Sequence, residues 1–234
     1  MKKVLIQGAM DIETDYLIEQ VKSLPDYEYL QEDNMAFHMA TVNGKKIIVQ
    51  TTGMGTVKAA MATTYAIEKI HPTLVINQGT AGAQERDFGV GDVILAETAV
   101  NINQMSMPKK ELGEGSDPFT WEKPSQTREY EADKALLTMF SNVEYTAGRM
   151  IKGKIATGDI YSRETDRIIW LAENYGTCAE DMETAAVFEV CETFETPCMG
   201  LRVISNNELK GNEFNGETAG LLQEYVWKVI YETL

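Results

Sequence analysis

Apolar and polar positions alternate along this chain with two different periods. Short apolar runs of strand length occupy residues 4–6, 74–76, 93–100 and 198–204. Residues 57–70, 131–140, 164–175, 180–194 and 216–234 have apolar positions at mostly helical spacing, and residues 11–30 are polar and compatible with a helix. Asn43-Gly44, between residues 35–42 and 45–51, is a strong hairpin signal. This alternation predicts a largely parallel sheet covered by helices on both faces.

The chain shows no internal repeat and no linker that would divide it. Residues 104–130 are rich in charge, Gly and Pro and lack periodicity, which predicts a long loop or lid. We therefore expect one domain over residues 1–234.

Composition narrows the function classes. The net charge of -15 argues against a nucleic-acid surface, because phosphates attract clustered Lys and Arg. No stretch approaches the length of a membrane span, and the amino terminus reads as a first strand rather than a signal peptide. Three cysteines without a CxxC pair, and only two histidines, support neither a zinc site nor a disulfide framework. These features predict a soluble, cytoplasmic protein that uses no metal and no cofactor.

Polar or glycine-containing segments follow three of the predicted strands: Gly8-Ala-Met10, Gly79-Thr-Ala-Gly82 and Ser205-Asn-Asn207. In a parallel sheet the carboxyl ends of strands share one edge, where ligands bind. The predicted buried strand before Ser205 also carries Arg202. Folding alone gives little reason to place an arginine inside an apolar run. No segment matches the dinucleotide fingerprint or a P-loop.

The order of such segments is more specific than any one of them. Along the chain follow Gly8-Ala-Met10 with Glu13, Gly53-Met-Gly55, Asn77-Gln-Gly-Thr-Ala-Gly82, Gly91-Asp92, Thr157-Gly-Asp159, Asp181-Met-Glu183 and Arg202-Val-Ile-Ser-Asn206. This series resembles the nucleoside phosphorylase superfamily and, within it, the 5'-methylthioadenosine/S-adenosylhomocysteine nucleosidases of methionine salvage. The resemblance implies a three-layer α/β/α fold with a central mixed, largely parallel twisted sheet. It also implies hydrolysis of the bond between a purine and C1' of a ribosyl thioether.

The resemblance assigns roles to particular residues. Glu13 matches the acid that positions water, and Glu183 matches the acid that grips the ribose hydroxyls. The remaining expected substrate contacts are Met182 against the sugar, Thr80 near the ribose where the family has serine, Met10 and Met54 at the 5'-substituent, Tyr161 stacked on the base, Ser162 at the base edge, Ser205 at the strand end, and Arg202 near the residue that protonates the base.

Asn206 departs from the family pattern, which has an aspartic acid there that protonates N7 of the leaving adenine. Asparagine donates a hydrogen bond but delivers no proton, and general acid catalysis is worth ~10²–10⁴-fold. Three explanations stay open at this point. The base is a 6-oxopurine, as for the asparagine of the trimeric purine nucleoside phosphorylases; Glu208 reaches the base; or the protein binds nucleosides without turnover.

Hydrolysis is favoured over phosphorolysis. A phosphorylase binds a dianion, usually through arginines near the glycine-rich strand ends. Here Asp11, Glu13 and Asp15 surround the first strand end, and the nearest arginine is Arg86. The resemblance implies a small purine nucleoside as the partner. The resemblance further implies a homodimer in which the neighbouring subunit closes the 5'-end of the pocket.

Overall fold

The computed structural model describes residues 1–104, 106–123 and 127–233. Its strands are β1 (Lys3–Gly8), β2 (Glu28–Glu32), β3 (Met35–Val42), β4 (Lys45–Thr51), β5 (Leu74–Ala83), β6 (Val93–Asn101), β7 (Glu129–Glu131), β8 (Met150–Thr157), β9 (Ala179–Asp181) and β10 (Cys198–Asn206). The helices are α1 (Asp15–Lys22), α2 (Thr56–Ile70), α3 (Lys134–Ser141), α4 (Thr165–Tyr175), α5 (Thr184–Thr193) and α6 (Thr218–Thr233).

All ten strands belong to one mixed sheet, which confirms the predicted α/β fold class. Parallel pairs join β1 to β4 and β5, β5 to β10, and β8 to β6 and β9. Antiparallel pairs join β2 to β3, β3 to β4, β5 to β9, and β6 to β7 and β10. Within the described residues, parallel and antiparallel pairings are therefore equally numerous.

Half of the sheet closes on itself. β5 pairs with both β10 and β9, and the series β10, β6, β8, β9 leads back to β5. The other half, β1-β4-β3-β2, extends outward from β5 as an open sheet. The closure brings β9 and the start of α5 next to the carboxyl ends of β5 and β10.

Helices cover the sheet in two groups. α1, α3 and α6 pack together against one side, and α2 packs on α5 on the other. The central strands are correspondingly apolar on both faces, and Val4, Leu5 and Ile6 of β1 and Val75 and Ile76 of β5 are all fully buried. No helix in the described part of the chain has the length and apolar character needed to span a membrane.

The predicted hairpin is confirmed. β3 and β4 pair antiparallel across Asn43 and Gly44, whose φ angles are 48° and 75°. Two positive φ angles define the type I′ turn that matches the twist of the flanking strands, and Asn-Gly is its preferred sequence.

The helix predicted over residues 11–30 is wrong. A 3-10 turn occupies Asp11–Glu13, α1 ends at Lys22, and β2 follows. Pro25 explains the early end, because proline disfavours the helical conformation of the residue before it.

The predicted start of the helix over residues 180–194 is also wrong. Glu180 and Asp181 end the short strand β9, and α5 begins only at Thr184, so that Glu183 is its N-cap residue. The segment Gly79-Thr-Ala-Gly82 likewise belongs to β5 rather than to a loop, since β10 pairs with it as far as Gly82.

Among its described residues, the predicted loop over residues 104–130 contains a 3-10 turn at Pro118–Thr120, an isolated antiparallel bridge between Ser106 and Glu122, and the first residues of β7. Residues 105 and 124–126 of that prediction lie outside the described residues.

Candidate active site

The carboxyl ends of β1, β5 and β10 meet at one edge of the sheet, as the sequence predicts. Two adjoining open cavities of about 190 and 50 Å³ lie there. Most predicted site residues line the larger cavity: Met10, Glu13, Met54, Thr80, Tyr161, Met182, Glu183, Ser205 and Asn206. Ser162 lines only the smaller cavity, and Arg202 lines neither.

Glu13 is a buried carboxylate fixed by four hydrogen bonds. Its Oε2 accepts from the backbone N–H of Ala9 at 2.8 Å and of Met10 at 3.2 Å. Its Oε1 accepts from the backbone N–H of Thr80 at 2.7 Å and from the Thr80 hydroxyl at 2.9 Å. A carboxylate has about four lone-pair sites, so the protein donors fill them all. Only the hydroxyl of Thr80 can rotate away to admit another group.

Gly79 allows this close approach between β5 and the turn that carries Glu13. A Cβ atom at Gly79 would lie 2.8 Å from Oε1 of Glu13, which is closer than real Cβ contacts allow. The side-chain amide of Gln78 also donates to the Glu13 carbonyl. Strand β5 therefore holds the carboxylate of Glu13 through Thr80 and its backbone carbonyl through the side chain of Gln78.

The Glu13 turn is also held from the far end of the chain. Gln223 of α6 donates from Nε2 to the carbonyl of Ile12 at 2.8 Å. Its Oε1 accepts from the backbone N–H of Tyr16 at 3.0 Å and of Leu17 at 3.4 Å. One side chain of α6 thus joins the turn to the first residues of α1.

Glu183, the N-cap residue of α5, is the second carboxylate of the larger cavity. Its Oε1 accepts from the backbone N–H of Gly55 at 2.9 Å. Gly55 has a φ of 101°, a conformation that side chains disfavour. Burial, reinforced by the neighbouring carboxylate of Asp181, raises the pKa of Glu183 to about 7.

Arg202 lies behind these acids rather than in the cavities. Its Nη2 is 2.6 Å from Oδ2 of Asp181 and 3.7 Å from Oε2 of Glu183, and its side chain is only 1% exposed. The hydroxyl of Thr157 donates to the other oxygen of Asp181 at 2.5 Å. The arginine therefore holds the two neighbouring acids in place and offsets their repulsion. Arg202 lines neither cavity, and its pairing with Asp181 and Glu183 explains its burial without a contact to a ligand.

Apolar side chains form the mouth of the larger cavity. Met54 is 55% exposed and Met10 is half-buried, while Met182 lies in the wall shared by both cavities. Phe214, which sequence reasoning missed, also lines the larger cavity. An aromatic residue in an aperiodic stretch carries no sequence signal that would have placed it there.

Tyr161 and Ser162 belong to the segment between β8 and α4. Tyr161 lines both cavities and is 60% exposed. The segment is anchored by Asp159, whose carboxylate accepts from the backbone N–H of Thr56 at 2.7 Å and from its hydroxyl at 2.6 Å. The aromatic ring is thereby tied to the start of α2 and presented to the cavity.

Asn206 ends β10 where the two cavities join. Its Oδ1 is 3.0 Å from the hydroxyl of Ser205, and its Nδ2 donates to Oε1 of Glu208 at 3.4 Å. An ionised carboxylate only accepts hydrogen bonds, so the amide nitrogen must face Glu208. By contrast, Asn207 is structural, because its Nδ2 donates at 2.9 Å to the carbonyls of Glu85 and Phe88.

Two further acids line the smaller cavity, each paired with an arginine. Glu180, which sequence reasoning missed as a site residue, forms hydrogen bonds of 2.9 and 2.8 Å with Arg167. Burial raises the pKa of Glu180 despite that partner. Glu208, raised from the sequence only as an alternative, is 3.0 Å from Nε of Arg163. The spacing of these residues along the chain does not reveal either pair.

Together the cavities offer the carboxylates of Glu13 and Glu183 at one end, an amide donor in the middle and an exposed aromatic ring beside it. The other acids that line them, Glu180, Asp181 and Glu208, are each paired with an arginine. In the described part of the chain, no three His, Cys, Asp or Glu side chains are grouped so that they could hold a metal ion. This set of groups can orient water, accept hydrogen bonds from a polyol and donate to a heterocycle.

Comparison with known proteins identifies relatives over nearly the whole chain. A family model described as the phosphorylase superfamily matches residues 3–229. A 5'-methylthioadenosine/S-adenosylhomocysteine nucleosidase from Oceanobacillus iheyensis is 31% identical, over 86% of this chain and 84% of the relative.

Solved structures show the same architecture. A Helicobacter pylori 5'-methylthioadenosine nucleosidase, mutated from aspartate to asparagine and holding 5'-methylthioadenosine in its active site, superposes with a TM-score of 0.82. It is 25% identical and covers 99% of both chains. The Neisseria meningitidis nucleosidase in complex with methylthio-immucillin-A has a TM-score of 0.81 at 22% identity, again over 99% of both chains, and supports the fold.

Proposed function

Because the chain belongs to the phosphorylase superfamily and to its family of 5'-methylthioadenosine/S-adenosylhomocysteine nucleosidases, we propose that it is a purine nucleoside N-ribohydrolase. Its substrates are 5'-methylthioadenosine, S-adenosylhomocysteine and similar nucleosides, and its products are the free base and the (thio)ribose. The observation that carries the proposal is the fixed, buried carboxylate of Glu13 in the same cavity as Glu183 and Asn206.

The chemistry requires stabilisation of a cationic sugar and delivery of water. The bond from C1' to N9 breaks with its electron pair going to the base, and water oxygen bonds to C1' through an oxocarbenium-like transition state. Glu13 orients the water and takes up its proton, once the hydroxyl of Thr80 has rotated away from Oε1. Its negative charge also stabilises the positive charge that develops on the sugar.

Glu183 is the acceptor for the ribose hydroxyls, in its ionised form. Arg202 stabilises that form from behind, 3.7 Å from Oε2. Met182 lies against the sugar, and Met10, Met54 and Phe214 form an apolar mouth for the 5'-substituent. This division matches a thioether nucleoside, which has a polar ribose and an apolar 5'-group.

At the base end, Tyr161 stacks on the purine and Ser162 lies at its edge. Asn206 donates a hydrogen bond to N7 as negative charge develops on the departing base. Because an amide delivers no proton, the proton that completes the free base comes from solvent. The aspartate-to-asparagine mutant of the Helicobacter pylori relative holds 5'-methylthioadenosine, so one such change in this family is compatible with nucleoside binding.

Water rather than phosphate is the acceptor. A phosphate dianion needs cationic partners, and among the described residues neither cavity is lined by Lys or Arg. Arg86 donates instead to the carbonyl of Leu209 at 2.7 Å. Acidic side chains dominate the polar lining, which disfavours a dianion.

The test measures base release from 5'-methylthioadenosine, S-adenosylhomocysteine, adenosine and inosine, each with and without phosphate. We expect release that phosphate does not accelerate, with free sugar as the product. Asn206 favours a second candidate, a nucleoside-binding protein without turnover. Binding of these nucleosides with no release from any of them would replace the hydrolase by that candidate. Phosphate-dependent release with a sugar phosphate as the product would identify a phosphorylase instead.

The assembly and location that the resemblance implies belong to the same proposal: a cytoplasmic homodimer acting in methionine salvage. Val57 and Met61 on the outer face of α2 are 76% and 54% exposed, next to the exposed Met54 at the cavity mouth. A second copy placed there would cover all three. Sedimentation equilibrium of the wild type and of Val57→Glu tests this, with a monomeric wild type as the contradicting result.

A further inference from the structure

We infer that Glu208 is a further specificity-determining residue of this site, which accepts a hydrogen bond from the 6-amino group of the base beside the donor Asn206. The inference rests on the proposed function, since it concerns the purine end of the same site. It assigns to Glu208 a role in specificity and chooses among the leaving bases that Asn206 alone leaves open.

The positions of the two side chains follow the order of atoms on a bound purine. The larger cavity holds the sugar acids, and Asn206 lines both cavities, whereas Glu208 lines only the smaller one. On a purine nucleoside, N7 is close to the glycosidic bond and the 6-substituent lies farther from it on the same edge. A base that enters the smaller cavity from the sugar end therefore meets Asn206 at N7 and Glu208 at the 6-substituent.

The two groups have opposite hydrogen-bonding character. Asn206 presents the donor Nδ2, and Oε1 of Glu208 is an acceptor 3.4 Å away. Oε2 of Glu208 is occupied by Nε of Arg163 at 3.0 Å, and the Glu208 side chain is only 8% exposed. The ion pair thus fixes a buried acceptor beside a donor, in a residue that lines the smaller cavity.

This donor–acceptor pair complements adenine. The corresponding edge of adenine carries the N7 acceptor next to the amino donor, and an asparagine or glutamine side chain reads the same two atoms through one donor and one acceptor. A 6-oxopurine presents two acceptors, N7 and O6. Its O6 would face the Glu208 carboxylate without a hydrogen bond, and an unpaired buried acceptor is costly.

Other polar side chains of the smaller cavity already have partners. Glu180 is held by two hydrogen bonds from Arg167. The Oε1 atom of Gln84 accepts from the hydroxyl of Thr177 at 2.6 Å. Neither supplies the acceptor that faces Nδ2 of Asn206, so the selection falls to Glu208.

The experiment compares 5'-methylthioadenosine with 5'-methylthioinosine, which differ only at the 6-position and N1. The ratio of kcat/KM for the two is measured in the wild type, in Glu208→Gln and in Glu213→Gln. Glu213 is the matched control, because its exposed carboxylate pairs with the same Arg163 at 3.6 Å but lines neither cavity. Calorimetric affinities for both nucleosides provide a second readout that needs no turnover.

We expect the wild type to favour the 6-amino compound by about 10- to 100-fold. Glu208→Gln, whose amide can donate to O6, reduces that ratio by about 10-fold or more, and Glu213→Gln leaves it unchanged. A wild type that prefers the 6-oxo compound, or a ratio unaffected by Glu208→Gln, overturns the inference. Absence of any base release refutes the proposed function instead, and the ratio of affinities then still decides whether Asn206 and Glu208 read the base.

Discussion

The proposed sugar end of this site, at Glu13 and Glu183, and its proposed base end, at Asn206 and Glu208, are held by different kinds of partner. At the sugar end, Glu13 accepts from three backbone N–H groups and Glu183 from another. At the base end, Asn206 is oriented by the side chains of Ser205 and Glu208. Backbone donors persist whatever the sequence, whereas a side-chain partner disappears with one substitution. The comparison teaches that the backbone fixes the geometry of the proposed sugar end, whereas one or two substitutions can change the geometry of the proposed base end.

Glu13→Gln removes the acid proposed to position water and has the largest expected effect on kcat. The amide no longer takes up a proton from water, so kcat for base release from 5'-methylthioadenosine falls by ~10²–10⁴-fold. It also places N–H donors against the backbone N–H groups of Ala9 or Thr80, which lowers the melting temperature. Glu19→Gln, on the exposed side of α1, is the control of the same chemistry. A folded Glu13→Gln variant with wild-type kcat would show that Glu13 does not position the water.

Asn206→Asp adds a carboxyl group that can protonate the leaving base. The nearby carboxylate of Glu208 favours the protonated form of the new carboxyl group. We expect kcat for adenine release to rise by roughly 100-fold, the lower end of the range for general acid catalysis. Asn207→Asp is the matched control: it removes two hydrogen bonds to carbonyls and should lower stability without raising kcat. An unchanged kcat in Asn206→Asp would mean that departure of the base does not limit the rate.

Glu183→Gln tests whether the pKa of Glu183 is raised in the folded protein. Burial raises the pKa of Glu183 to about 7, so the folded state keeps this proton to a higher pH than the unfolded state. The stability that Glu183 contributes at pH 4 is therefore lost as the pH rises through about 7. Relative to wild type, Glu183→Gln should gain on the order of 3 kcal/mol in free energy of unfolding between pH 4.5 and pH 8.

Urea unfolding of both proteins at the two pH values measures this difference. Glu68→Gln, an exposed position on α2, reports the effect of removing one surface charge. The same free-energy difference between wild type and Glu183→Gln at both pH values would contradict a raised pKa.

Local signals were enough to predict much of the site. Gly8, Gly79 and Asn206 follow or end apolar runs, and the edge of a parallel sheet brings such positions together. The hairpin could likewise be predicted, because Asn43-Gly44 is the preferred sequence of a type I′ turn.

Features that depend on distant partners could not be predicted. The length of β5 is set by β10, more than a hundred residues later, and the closed half of the sheet follows from pairings of β9 with two separate strands. Glu180 lies 13 residues from Arg167 and Glu208 45 residues from Arg163. No periodicity links such residues, so the two ion pairs became visible only in the folded molecule.

Gln223 has a consequence for the order in which the protein becomes active. Domains are synthesised from the amino terminus, and the turn that carries Glu13 leaves the ribosome early. Gln223 of α6, which donates to the carbonyl of Ile12 in this turn, is synthesised about two hundred residues later. A nascent chain that already has β1, β5 and β10 therefore still lacks the contact that anchors the turn of Glu13. Cleavage of nucleosides should begin only after α6 has docked, which makes activity a reporter of the last step of assembly.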